Sequence, residues 1–163
     1  MPVILIVCTA NICRSPMAEV LLQRKLDEGE TPGTWRVGSA GTWAEDGFPA
    51  TDYGIRVMAD RGLDTSQHES RSVNAAMMAE ADLVLTMTAN HAESLRAEFP
   101  EHGFKVHRLT EMAGMPYDVA DPYGGPLSEY ERTADELSYL IEKGLAEIVA
   151  HARANSASAG REE

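Results

Sequence analysis

Apolar runs and apolar periodicities alternate along the chain, and each predicts an element. Val3-Ile4-Leu5-Ile6-Val7 is unbroken and rich in β-branched residues, the pattern of a strand buried on both faces. From Met17 to Asp27, Met17, Val20, Leu21 and Leu26 share one helical face, and Gly29 with Thr31-Pro32-Gly33 ends it. Trp35 to Ser39 reads as a second strand running into Ala40-Gly41-Thr42-Trp43. Pro49 to Arg61 is a helix stopped by Gly62, and residues 65–72 are polar and loop-like. Asn74 can cap a short helix through Ala81. Asp82 to Met87 is a third strand, followed by a helix from Ala89 to about Phe99. Pro100-Glu101-His102-Gly103 turns into a short fourth strand, Lys105 to Leu109, and a long loop covers Thr110 to Pro126. In the last helix Leu127, Tyr130, Ala134, Leu137, Ile141, Leu145 and Ile148 recur at steps of three and four, one amphipathic face. Residues 154–163 are small and polar and predict a loose tail.

Strands alternating with helices predict an α/β fold class: a single domain over residues 1–153 with a parallel sheet and right-handed crossovers. In such sheets ligands bind beyond the carboxyl ends of the strands. No repeat or linker divides the 163 residues, a length that suits one substantial core.

Composition narrows the function classes. The net charge of −12 disfavours nucleic acid as a partner, which wants a basic face. No apolar run approaches the ~20 residues of a membrane span, so no membrane is expected. No signal peptide is read at the N-terminus. The two cysteines sit in one loop, which is not a disulfide framework; a reducing, cytoplasmic location is expected.

That loop carries the chemistry. Cys8-Thr9-Ala10-Asn11-Ile12-Cys13-Arg14-Ser15-Pro16 joins the first strand to a helix start, where Ser suits an N-cap and Pro the first turn. Inward amides and a helix dipole make an anion cradle. Arg14 adds a planar fork for two phosphate oxygens. In that positive field Cys8 is a candidate thiolate nucleophile. A lone cysteine at a strand end is usually a small buried hydrophobe. Five residues between Cys8 and Arg14, set between a strand and a helix start, favour phosphoryl transfer instead. The Gly-rich Walker pattern is absent.

The segment from Cys8 through Met17-Ala18-Glu19 resembles the N-terminal signature of the low molecular weight protein-tyrosine phosphatases, with Ala10 where that family usually has Gly. The resemblance covers roughly residues 3–150. It implies a four-stranded parallel sheet in the order 2-1-3-4, no metal and no cofactor. It implies a phosphorylated protein or peptide as partner, inorganic phosphate as product, and a monomer or weak dimer. In Asp121-Pro122-Tyr123 it implies the general acid Asp121, where the plain alternative is a turn-starting Asp-Pro. Ser39 and His68 match residues that tie down Asn11, although His68 also reads as an exposed loop histidine. Trp43 and Tyr123 match the aromatic walls of the substrate cleft. Ser15 either caps the helix or donates to Cys8. Cys13 is either a buried loop residue or a resolving thiol, and the resemblance favours the latter. Thr9, Ala10 and Ile12 complete the phosphate-binding loop.

Two branches of the family compete. Residues 118–125 and the helix around Thr133-Ala134-Asp135-Glu136-Leu137 resemble the bacterial protein-arginine phosphatases, which carry Thr where this chain has Ile12. Ile12 favours phosphotyrosine. Arsenate reduction is set aside because no cysteine follows Cys13. A non-catalytic phosphate-binding module would have no need of Cys8 or Asp121.

Overall fold

The computed structural model describes residues 1–160. Four strands, β1 (Val3–Cys8), β2 (Arg36–Gly41), β3 (Leu83–Thr86) and β4 (Val106–Arg108), form one parallel sheet in the order β2-β1-β3-β4. Parallel neighbours need crossovers. These are α1 (Arg14–Asp27) after β1, α2 (Asp52–Asp60) and α3 (Ala75–Glu80) after β2, and α4 (Ala89–Glu98) after β3. Two more helices, α5 (Leu109–Met112) and α6 (Leu127–Ser158), follow β4.

The unbroken apolar run of β1 is explained by helices on both faces. Ile4, Ile6 and Cys8 join a core with Met17 and Leu22 of α1, Met58 of α2, Leu109 of α5 and Leu137 of α6. Leu5 and Val7 point the other way, into a core with Met78 of α3 and Leu95 of α4. The register pairs Cys8 with Gly41, so the nucleophile candidate ends a central strand at the sheet's carboxyl edge.

Several boundaries depart from the sequence expectation. Helix α2 begins at Asp52 rather than Pro49, because Thr51 is extended and its amide donates to the carbonyl of Ile12 (3.0 Å). Lys105 closes a 3-10 segment, Pro100–Lys105, and its buried ammonium donates to the Ala81 carbonyl (2.6 Å). The loop expected over 110–126 holds the short helix α5. The loose tail expected from Ala154 is corrected by α6, which continues to Ser158. Alanines are strong helix formers, and the small Ala152 and Ser156 are fully buried. Asn155 Nδ2 donates to the Asp82 carbonyl (2.8 Å), and the Asp82 carboxylate accepts from the Val3 amide (2.8 Å). Residues 161–163 of that expected tail lie outside the described residues. Gly144 is where α6 meets α5: a Cβ there would stand 2.9 Å from the Met112 carbonyl carbon. Among the described residues no helix is long and apolar enough to cross a membrane.

Candidate active site

The loop between β1 and α1 is held by Asn11. Its φ of 60° is the left-handed region, where Asn is among the few tolerated side chains. Its side-chain amide and its carbonyl are paired. Nδ2 donates to Ser15 Oγ (2.8 Å) and Ser39 Oγ (2.9 Å), and Oδ1 accepts from the Arg71 amide (3.0 Å). Its carbonyl accepts from His68 Nε2 (2.6 Å); a carbonyl cannot donate, so that nitrogen carries the proton. Ser39 and His68 thus both reach Asn11. Arg71, which also donates from Nε to the Ser39 carbonyl (2.9 Å), was not anticipated.

Ser15 resolves between its two readings. Helix α1 starts at Arg14, Cys13 stands at the N-cap, and no side chain caps the helix. Ser15 Oγ instead lies 2.9 Å from Cys8 Sγ. Because it already accepts from Asn11, its own proton is available to the sulfur. The uncapped amides of the first turn keep their donors for an anion.

Arg14 is buried. Nη1 donates to the Val119 carbonyl (2.8 Å), and Nη2 stands 3.5 Å from Asp121 Oδ2. Its Nε is buried with no hydrogen-bond partner among the described residues. An orphaned buried donor costs about 1–3 kcal/mol, so this guanidinium suits an oxyanion.

The segment carrying Asp121 is anchored at its start. The Val119 amide donates to the Met87 carbonyl (2.9 Å). Asp118 accepts from the Ala89 amide (2.9 Å) and pairs with Arg108 (3.1 Å), and the Ala89 bond is the main reason its carboxyl lies below the usual range. Beyond these anchors the Asp121 carboxylate is about half exposed, and its Oδ1 accepts from the Tyr123 amide (3.1 Å).

These parts enclose a cleft of about 290 Å³ lined by Cys8, Thr9, Ala10, Ile12, Cys13, Arg14, Asp121 and Tyr123. Trp43 is not among its walls. Its amide is tied to the Thr9 carbonyl (3.0 Å), while its ring stands 86% exposed. A larger cavity of about 450 Å³, lined in part by Ser39, His68 and Arg71, contains neither cysteine. Cys13 contacts Tyr130 Oη (3.5 Å) and Thr51 Oγ1 (3.8 Å); burial pushes its thiol up, and that of the Tyr130 phenol to about 12.

His91 was also missed by the sequence reading. It packs on Thr9, Nε2 to Oγ1 at 2.8 Å, and burial with the nearby Arg14 lowers its pKa to about 4. The faint signal was Thr88 three residues earlier, a capping position with His in place of the usual Glu.

A cysteine at a parallel strand end, an uncapped helix start, a buried unpaired guanidinium donor and a facing carboxylate define a phosphate-handling α/β enzyme. The family model described as low molecular weight phosphotyrosine protein phosphatase matches residues 3–155. The chain is 36% identical over 151 residues to a probable low molecular weight protein-tyrosine-phosphatase of Ralstonia nicotianae, covering 93% of this chain and 96% of that one. It is 39% identical over 141 residues to the protein-arginine-phosphatase of Geobacillus stearothermophilus, covering 86% and 91%. The solved low molecular weight protein tyrosine phosphatase of T. tengcongensis superposes with a TM-score of 0.84 at 40% identity, covering 90% and 99%. The chain belongs to the low molecular weight protein-tyrosine phosphatase family and is a phosphatase.

Proposed function

We propose that this phosphatase hydrolyses phosphotyrosine in proteins through a phosphocysteine on Cys8. The observation that supports it best is one cleft lined by Cys8, Arg14 and Asp121. The Cys8 thiolate attacks phosphorus; the S–P bond forms as the bond to the tyrosine oxygen breaks, and Asp121 gives that oxygen its proton. Arg14 and the loop amides hold the three equatorial oxygens. Water then attacks phosphorus and loses its proton to Asp121. The S–P bond breaks, releasing inorganic phosphate and a thiolate that the Ser15 hydroxyl stabilises. Cys13 stands as the resolving thiol should Cys8 be oxidised. The two free thiols fit a cytoplasmic enzyme, acting as a monomer or weak dimer.

The preference for phosphotyrosine rests on Ile12, which is half-buried and lines the cleft. A phosphotyrosine ring packs on it with a gain set by buried area. A phosphoarginine would leave its N–H groups unpaired there, at about 1–3 kcal/mol each. The second reading, protein-arginine phosphatase, draws on the identity to the Geobacillus enzyme. Phosphotyrosine and phosphoarginine peptides assayed side by side separate the two, with Cys8→Ser as control. Native protein should favour phosphotyrosine, and Ile12→Thr should move the ratio toward phosphoarginine. Turnover near native in Cys8→Ser would overturn the mechanism; an unchanged ratio in Ile12→Thr would overturn the role of Ile12.

A further inference from the structure

We propose that His91 is a positioning residue for the phosphate loop: its Nε2–H fixes the Thr9 hydroxyl so that the Thr9 proton is presented to an oxygen of the bound phosphoryl group. The proposal rests on the phosphatase reading above and adds a residue to it.

The tautomer follows from the bonds. His91 lies on the first turn of α4 and is 6% exposed. Its Nδ1 is 3.2 Å from the Thr88 amide, which can only donate, so Nδ1 holds a lone pair and the proton sits on Nε2. The His91 amide returns a bond to Thr88 Oγ1 (3.2 Å), which fixes the turn that carries the ring. Nε2 then meets Thr9 Oγ1 at 2.8 Å as a donor. A hydroxyl has one proton and two lone pairs. With a lone pair engaged by His91, the Thr9 proton is left for another acceptor, and Thr9 lines the cleft beside Cys8.

The donor is permanent at neutral pH. Burial and the charge of Arg14 disfavour a charged ring, outweighing the opposing pull of Asp118 and Asp121. A protonated ring would also set two donors against each other at Thr88. The geometry joins two halves of the site. The start of α4 receives Asp118 of the acid segment at Ala89 and contacts the phosphate loop through His91.

The test uses the full chain with an aryl phosphate, and inorganic phosphate as the bound probe read by calorimetry. Thr9→Val should weaken phosphate binding and lower kcat/KM about tenfold, the loss of one hydrogen bond to a charged group. His91→Phe should do nearly the same, and the double variant should be no worse than Thr9→Val alone. Thr9→Ser and His91→Gln, which restore a hydroxyl and a donor near Nε2, should recover most of the loss. His91→Phe also lowers Tm by removing the Thr88 contact; Thr9→Val leaves that cap intact and can overturn the proposal even if His91→Phe fails to fold, and His91→Gln then reads the role of the ring: phosphate affinity near native supports it. Unchanged phosphate affinity in Thr9→Val, or independent multiplying losses in the double variant, would overturn the proposal. Phosphate binding without turnover in native protein would count against the phosphatase reading, while the Thr9→Val loss of phosphate would still support this one.

Discussion

Asn11 is the residue whose removal the site should tolerate least outside the reacting groups. Asn11→Ala deletes bonds to Ser15 and Ser39 and leaves the Arg71 amide without its acceptor. Two neutral bonds are worth about 0.5–1.5 kcal/mol each, and the part-buried Arg71 amide left without an acceptor adds about 1 kcal/mol. Alanine at a φ of 60° adds ~1 kcal/mol, since it lacks the local bonding that lets Asn occupy that region. The sum is about 4 kcal/mol, or roughly 8–16 °C in Tm for a chain of this size. Asn11→Asp is the informative partner. Its shape is retained and the Arg71 bond survives, so the stability loss should be smaller. A carboxylate accepts only, however, so it draws the Ser15 proton away from Cys8 and repels both a thiolate and a phosphate. Thermal unfolding and turnover of an aryl phosphate should therefore rank the variants oppositely to a purely structural account. Asn11→Ala is the less stable, while Asn11→Asp loses at least as much activity although better folded. Asn11→Asp with native turnover would refute the reasoning, as would Asn11→Ala with native Tm.

Asp121→Asn should slow alkyl and poor aryl leaving groups far more than activated ones across a leaving-group series, since only the former need the proton; an equal loss throughout would assign Asp121 a structural role. His91 sets an acid limit on stability. Its pKa is about 4 in the fold against 6.5 unfolded, so between those values the unfolded chain holds more protons. Stability contributed by the neutral ring is full above pH 6.5 and falls as pH drops to about 4, by ~2 kcal/mol after discounting for partial solvent contact. Urea unfolding of His91→Gln across that range should lack this component, and an identical pH slope in both proteins would refute it.

What could be read in advance was what lies contiguous in the chain. The β1 run, the loop to Arg14, the Asn74 cap and the period of α6 are each set by neighbours in sequence. Arg71 and His91 could not be read that way, because their partners Asn11 and Thr9 are 60 and 82 residues away. The end of α6 escaped for a related reason. Ala154-Asn155-Ser156 looks like a solvated tail until Asp82 supplies a partner for Asn155. Ser15 carries two readings in sequence, because Ser-Pro suits a helix start and the hydroxyl also suits a nearby thiol; only the folded loop, which brings it to the Cys8 sulfur, selects the second. Trp43 matches an aromatic wall by position in sequence, but with its amide tied to Thr9 the ring faces water.

Asp82 acts as a clasp. It precedes β3 and holds Val3 through its carboxylate and Asn155 through its carbonyl, so the first strand and the last helix are fastened at one point. Cys8 is at the other end of β1, about 17 Å away at the usual rise per strand residue. Residues near both ends of the described chain therefore gather at the pole of the sheet opposite the cleft. A fluorescent domain or surface tether fused at either end would extend from that pole and leave the mouth between Ile12 and Tyr123 open to a folded substrate protein.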